Sequence, residues 1–155
     1  MKCVYIDTSV VNINLFGTKK EPERYSIVMN FFNRLNSQEF EGLISLYTLQ
    51  EIYAFCEDNF PLNYVRKVVK LSFQELLKSE LQIIPLLKRS ERLVHQRKFP
   101  ISDLSDQPHA ILAYLNGCDA IITYDDHFRD IGSIIKVFTP EEFLDILDNK
   151  LLQEI

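Results

Sequence analysis

Apolar positions along the chain change their period several times, and each change marks an element. Residues 2–6 form a short run with β-branched and aromatic members that stops at Asp7, which predicts a buried strand. Residues 9–16 predict a short helix closed by Gly17. Between 22 and 35, Tyr25, Val28, Met29, Phe32 and Leu35 recur at three- and four-residue spacing, the signature of a helix with one apolar face. A second strand follows at 42–46, then helices at 48–58 and 63–78, the latter with Val65, Val68, Val69, Phe73 and Leu76 inward. Residues 81–84 predict a third strand stopped by Pro85, and 87–96 a basic helix. Residues 105–116 carry a helix that Asn116-Gly117 ends as a left-handed cap. Strands are predicted at 119–123 and 134–138. Thr139-Pro140-Glu141-Glu142 then supplies an N-cap, a Pro at the first helical position and a Glu at the third. Phe143, Leu144, Leu147 and Leu151 extend that last helix over about 140–153.

Strands alternate with helices throughout. That pattern predicts an α/β fold: one domain over 1–155, a three-layer α/β/α sandwich around a mostly parallel, roughly five-stranded sheet. In such sheets the binding crevice lies outside the carboxyl ends of the strands. The polar residues just past those ends therefore matter most.

Acids fall there. Asp7 directly follows the first strand, and Glu51 lies in the first turns of the helix after the second. Asp106 opens the helix before the fourth strand, and Asp125 lies two residues beyond Thr123 at that strand's end. The topology brings these four distant segments to one edge. Four neighbouring carboxylates repel and need compensation, which a hard divalent cation with oxygen ligands supplies. Carboxylate-held Mg²⁺ or Mn²⁺ suits in-line displacement at a phosphodiester. Each acid also has an ordinary structural use. Asp7 can cap the next helix, Glu51 can be a solvated helix residue, and Asp106 can serve the helix dipole. Asp125 and Asp126 can be turn residues, and Asp103 reads as a cap or turn residue.

Charge adjusts this picture. The chain carries 17 basic and 22 acidic side chains, net −5, which taken alone argues against a polyanionic partner. The acids are concentrated beyond residue 100, however, and formal discounting of four site acids against two divalent ions reduces the net charge to −1 from the −5 of the whole chain. Residues 61–100 are basic, and Lys88, Arg89 and Arg92 share a helix face that suits an RNA backbone or simply faces solvent. Lys19 and Lys20, soon after Asp7, are a second candidate pair for substrate. Of the three scattered histidines, His127 beside Asp126 is the best outside candidate for the site. Cys3, Cys56 and Cys118 lack the spacing of a zinc cage or a disulfide framework, so free thiols and a cytoplasmic setting are expected. No signal peptide and no membrane-spanning run is expected.

The motifs resemble the PIN domain, the nuclease fold of the toxins in VapBC toxin–antitoxin pairs. VYIDTSVVNINL resembles the family's opening strand with its Asp and Thr-Ser. ISLYTLQEIYAF resembles the second motif, with its Glu early in a helix. SDQPHAILAYLNGCDAIITYDDHF resembles the third and fourth together: an Asp opening an Ala-rich helix, a Gly, and a strand ending in Thr-x-Asp. The resemblance implies that Asp7, Glu51, Asp106 and Asp125 are an acidic tetrad with Thr8 and Thr123 as accessory groups, and that Asp125 or the adjacent Asp126 faces the metal. It implies a Mg²⁺- or Mn²⁺-dependent endoribonuclease acting on RNA, with Glu51 binding the ion or orienting water as general base. It further implies a homodimer and a small antitoxin partner seated in a groove formed by the N-terminal helices. Tyr25, Phe31, Phe32, Phe55 and Phe60 are compatible with such a surface, although core packing is the expected use of most of them. Tyr124 stands where the family often has a basic residue. The rival reading is a non-catalytic PIN-like module that binds RNA or protein. A haloacid dehalogenase-type enzyme would need an acid at Ser9, and a receiver domain would need paired acids where Asp7-Thr8 stands.

Overall fold

Strand β1 (Cys3–Ile6) occupies the middle of a five-stranded sheet in the computed structural model, which describes residues 3–153, with side chains up to Asn149. The other strands are β2 (Glu41–Ser45), β3 (Leu81–Ile84), β4 (Ala120–Ile122) and β5 (Lys136–Phe138), in the order β3-β2-β1-β4-β5. Every neighbouring pair is parallel. Val4 lies opposite Gly42 on one side and Ala120 on the other, so β1 is hydrogen-bonded along both edges. The chain winds outward from β1 through β2 to β3, then crosses back to β4. The β1–β4 junction is thus the point where the winding reverses, the place at which a doubly wound sheet opens a crevice.

Side-chain alternation separates the layers. Val4, Ile6, Ala120 and Ile122 join one buried cluster, whereas Tyr5 and Ile121, between them in sequence, join another. The first cluster receives helices α1 (Thr8–Lys20), α2 (Pro22–Asn36), α3 (Leu46–Asn59), α4 (Leu62–Lys78) and α7 (Pro140–Gln153). The second receives α6 (Gln107–Leu115), in which every residue from Gln107 to Ala113 is buried. Helix α5 (Arg89–His95) packs on α6 from outside and buries none of its own residues. Gly42 lets α2 approach the sheet, because a Cβ there would come within 2.8 Å of Leu35 Cδ1 and 2.9 Å of Ile6 Cδ1.

Two helix ends show local sequence at work. Gly117, at φ +68, ends α6 by letting its own N–H donate to Tyr114 O and the Cys118 N–H donate to Ala113 O. Helix α7 starts at a capping box: the Thr139 N–H donates to Glu142 Oε2, and the Glu142 N–H donates to Thr139 Oγ1. Leu151's side chain, expected to continue the apolar face of α7, lies outside the described residues.

Several boundaries differ from expectation. Helix α1 runs through Gly17 to Lys20 and stops before Pro22, whose ring disfavours helical backbone at the preceding residue. Gly17 is instead buried beside Ile13 and Tyr25, at the α1–α2 contact. The basic helix is shorter than expected, and a 3₁₀ turn at Asp126–Ile131 fills a segment for which no element was expected. The cysteines are free, with the Cys3 and Cys118 sulfurs 3.7 Å apart. Among the described residues, no helix is long and apolar enough to cross a membrane.

Candidate active site

Asp7 sits at the carboxyl end of β1 and is buried. Its Oδ2 accepts three hydrogen bonds, from the Ser9 N–H at 3.1 Å, Ser9 Oγ at 2.6 Å and Thr123 Oγ1 at 2.9 Å. The bond from Ser9 N caps α1, so the ordinary use of a strand-end Asp is realised here. It occupies one oxygen only. Oδ1 remains for another ligand. Ser9, two positions from Asp7, thereby joins the site. Its hydroxyl also accepts the Tyr124 N–H at 3.1 Å, tying the end of β1 to the segment after β4.

Thr123 extends that tie. Its hydroxyl donates to Asp7 and accepts the Asp125 N–H at 2.9 Å. Asp125 Oδ1 accepts the His127 N–H at 2.9 Å, the local turn expected of an Asp, and lies 3.3 Å from His127 Nδ1. The same ring nitrogen is 3.6 Å from Asp106 Oδ2, so His127 spans two of the four acids. Asp126 points elsewhere: its side chain is 85% exposed and pairs with Arg129 at 2.8 Å.

Asp106 precedes α6 and makes no capping bond with its side chain. Its Oδ2 is buried without a hydrogen-bond partner. Burial, then the charges of Asp7, Asp125 and Asp103, push its carboxyl up to about 6, with His109 opposing them. A buried oxygen among like charges that makes no hydrogen bond, with His127 Nδ1 only as near as 3.6 Å, is what a bound cation would relieve. Asp103 is exposed and holds a turn through the Ser105 N–H and Oγ. With Asp106 and His127 it forms a group whose ligand atoms all lie within 4.8 Å of one another.

Glu51 enters from α3 and is fixed at both oxygens. Oε2 accepts the hydroxyl of Thr8, the first residue of α1, and Oε1 lies 3.0 Å from His109 Nε2. Burial alone would raise its carboxyl, but His109, followed by Thr8, holds it below the ordinary range. His109, on α6, is 1% exposed. Its Nδ1 lies 2.7 Å from the Tyr5 hydroxyl, which donates to Ser45 Oγ at 2.7 Å. A carboxylate only accepts, so Nε2 carries a proton. The Tyr5 hydroxyl partners Nδ1, so both ring nitrogens are engaged. Burial disfavours a charged ring, yet Glu51, Asp7 and Asp106 together leave the His109 pKa raised.

The four acids are thus linked by single side chains: Thr123 between Asp7 and Asp125, His127 between Asp125 and Asp106, and Thr8 from beside Asp7 to Glu51. The donors are hard oxygens, so the set suits a hard divalent cation. Such ions keep several waters and do not need carboxylates in mutual contact. The basic candidates are placed less directly. Lys20 lines a groove of about 360 Å³ that begins at Ser9 and also includes Phe16, Arg24, Phe55 and Tyr124. Lys19 is exposed at the end of α1. Lys88, Arg89 and Arg92 belong to α5 and its start and form no ion pair with the acids. Of the expected groove aromatics, Phe31 and Phe32 are buried in the core, while Tyr25, Phe55 and Phe60 are partly exposed. Tyr124 carries the Arg24 guanidinium 4.6 Å over its ring and donates its hydroxyl to Glu141 at 2.8 Å.

The PIN domain family model matches residues 4–134. No curated protein sequence matches significantly. Among solved structures, DNA-bound VapBC from Salmonella typhimurium is 21% identical, covering 90% of this chain and 99% of that one, with a TM-score of 0.61. VapBC2 from Rickettsia felis, bound to a DNA fragment from its promoter, is 15% identical over 87% and 96%, with a TM-score of 0.60. VapC20 from Mycobacterium tuberculosis, a toxin that cleaves the sarcin-ricin loop, is 11% identical over 83% and 95%, with a TM-score of 0.62. At these identities the likeness is one of fold.

Proposed function

The chain belongs to the PIN domain family, and on that premise we propose that it is a Mg²⁺- or Mn²⁺-dependent endoribonuclease, a toxin neutralised by a small antitoxin. The observation that carries this reading is Asp106, whose buried oxygen makes no hydrogen bond and whose carboxyl feels the charge of Asp7 and Asp125. Asp7, through Oδ1, and Asp106 and Asp125 would hold the ion, with Glu51 at its margin. When bound, a divalent cation supplies Lewis acidity and charge neutralisation to a phosphodiester. Glu51 would take the proton of the attacking water, a role supported by its being fixed by Thr8 and His109 with its side chain 38% exposed. Thr123 and Ser9 keep Asp7 in place. Asp126, occupied by Arg129, is assigned no part in the site.

Lys19 and Lys20, at the end of α1 remote from Asp7, are proposed to meet the RNA backbone away from the acids, and Lys88, Arg89 and Arg92 to form a second part of the track. The groove from Ser9 to Phe55 opens next to the acids and combines an aromatic floor with Lys20 and Arg24. We place an antitoxin segment there, where it would block the approach to Asp7. Homodimerisation and a cytoplasmic setting belong to the same reading, the latter in keeping with three free thiols.

The test is cleavage of mixed cellular RNA by the purified protein with Mn²⁺, with EDTA, and with Asp7→Asn. Cleavage is expected with Mn²⁺ alone and should fall at least about a hundredfold in the other two arms. Undiminished cleavage in EDTA, or by the folded variant, would overturn the metal–carboxylate reading.

A further inference from the structure

Glu51 is held by a chain of buried side chains that runs from the sheet to the site. Ser45 ends β2, Tyr5 lies in β1, His109 lies in α6, and Glu51 lies in α3. The successive distances are 2.7 Å, 2.7 Å and 3.0 Å. Four elements distant in sequence therefore meet at one imidazole. The ring has little freedom. Tyr5 meets it edge-on with centroids 5.7 Å apart, and Tyr47 lies against it at the same separation. A buried polar group costs free energy unless it is satisfied, and an apolar residue at position 109 would fill the space between Tyr5 and Tyr47 without that requirement. What the histidine adds is a donor of fixed direction aimed at Oε1 of Glu51.

We infer that His109 is a positioning residue, anchored through Nδ1 by the Tyr5 hydroxyl, and that its Nε2–H fixes the Glu51 carboxylate in the orientation in which it would serve the ion and its water. This deepens the proposal above and rests on its reading of the acids. Thr8 holds the other oxygen, and together the two donors leave Glu51 one orientation. A carboxylate reaching from a helix loses side-chain freedom whenever it engages an ion or a water, and here that loss is met on folding.

The two ring nitrogens can be tested apart. His109→Asn keeps a polar atom near Tyr5 and removes the donor to Glu51. His109→Gln keeps a donor near Glu51 and gives up Tyr5. Tyr5→Phe removes only the anchoring hydroxyl. Mn²⁺ affinity is read by calorimetry, folding by circular dichroism, and RNA cleavage as separate kcat and KM. His109→Asn is expected to weaken Mn²⁺ binding about tenfold and to lower kcat with KM unchanged. His109→Gln should recover most of that loss, and Tyr5→Phe should cost about threefold. On a Glu51→Gln background, His109→Asn should change Mn²⁺ affinity no further, because its effect passes through Glu51.

Unchanged or tighter Mn²⁺ binding by His109→Asn, equal loss in the Asn and Gln variants, or a full additional loss on Glu51→Gln would overturn the inference. If His109→Asn fails to fold, Tyr5→Phe decides: wild-type affinity and kcat there overturn it. A wild-type protein that binds no Mn²⁺ refutes the metal reading itself and this inference with it. Wild-type binding that is indifferent to position 109 refutes this inference alone.

Discussion

Two buried clusters of similar depth are built on opposite rules. In one, Phe31, Phe32, Phe40 and Phe143 meet with ring centroids 4.9 to 5.8 Å apart, and all four side chains are hydrocarbon. In the other, Ser45, Tyr5 and His109 are just as enclosed, yet each carries a polar atom that must be matched. The aromatic cluster stabilises by area removed from water and by close packing, and its residues could be exchanged for others of similar volume. The polar chain gains little net stability from its hydrogen bonds, and loss of one partner strands the next. Such a chain in a small domain is explained by its end point, the Glu51 carboxylate at the cleft.

The contrast breaks most visibly through stability. Phe143→Ala should cost about 3–5 kcal/mol in urea unfolding. The folded fraction should keep its Mn²⁺ affinity. A cost below about 1 kcal/mol would show that the aromatic cluster is not the stabilising region.

A smaller effect comes from pH and runs the other way, because the site stores repulsion. The folded-state carboxyl of Asp106 is raised to about 6 from the ordinary 3.8, so the metal-free folded state binds a proton more readily than the unfolded chain. Its contribution to stability is fully present below about pH 4 and is lost as pH rises through about 6. The difference in Tm between metal-free wild type and Asp106→Asn should therefore shift in favour of the variant between pH 4 and pH 7. Saturating Mn²⁺ should stabilise only the wild type appreciably. Parallel Tm curves in the absence of metal would contradict this account of Asp106.

These contrasts also separate what the sequence disclosed from what it did not. The five-stranded parallel sheet was legible because each strand is a short apolar run ended by a turn residue, a local signal. The positions of Asp7 and Asp125 were legible for the same reason, since strand ends in a doubly wound sheet share an edge. Gly17 misled, because its flexibility suggests a helix end whereas tertiary packing against Tyr25 uses its small size. The choice between Asp125 and Asp126 was open in sequence, where the two are neighbours. Only the 3₁₀ turn, which pairs Asp126 with Arg129, turns them apart. His109 carried no signal at all. Its partners Tyr5 and Glu51 lie 104 and 58 residues away, and a lone histidine on an Ala-rich helix has no periodicity to betray it. Arg24 and Ser9 were missed on similar grounds, since each acts through a contact with the segment that follows β4.

The central claim is that acids from three segments, Asp7, Asp106 and Asp125, hold one catalytic ion site with Glu51 at its margin. The most direct measurement is anomalous scattering at the manganese edge from crystals of the protein grown with Mn²⁺. The account predicts a peak within coordination distance of Asp7 Oδ1, Asp106 and Asp125, with Glu51 facing it and Asp126 still on Arg129. A peak confined to Asp103, Asp106 and His127, or no peak at Mn²⁺ concentrations that support RNA cleavage, would contradict it.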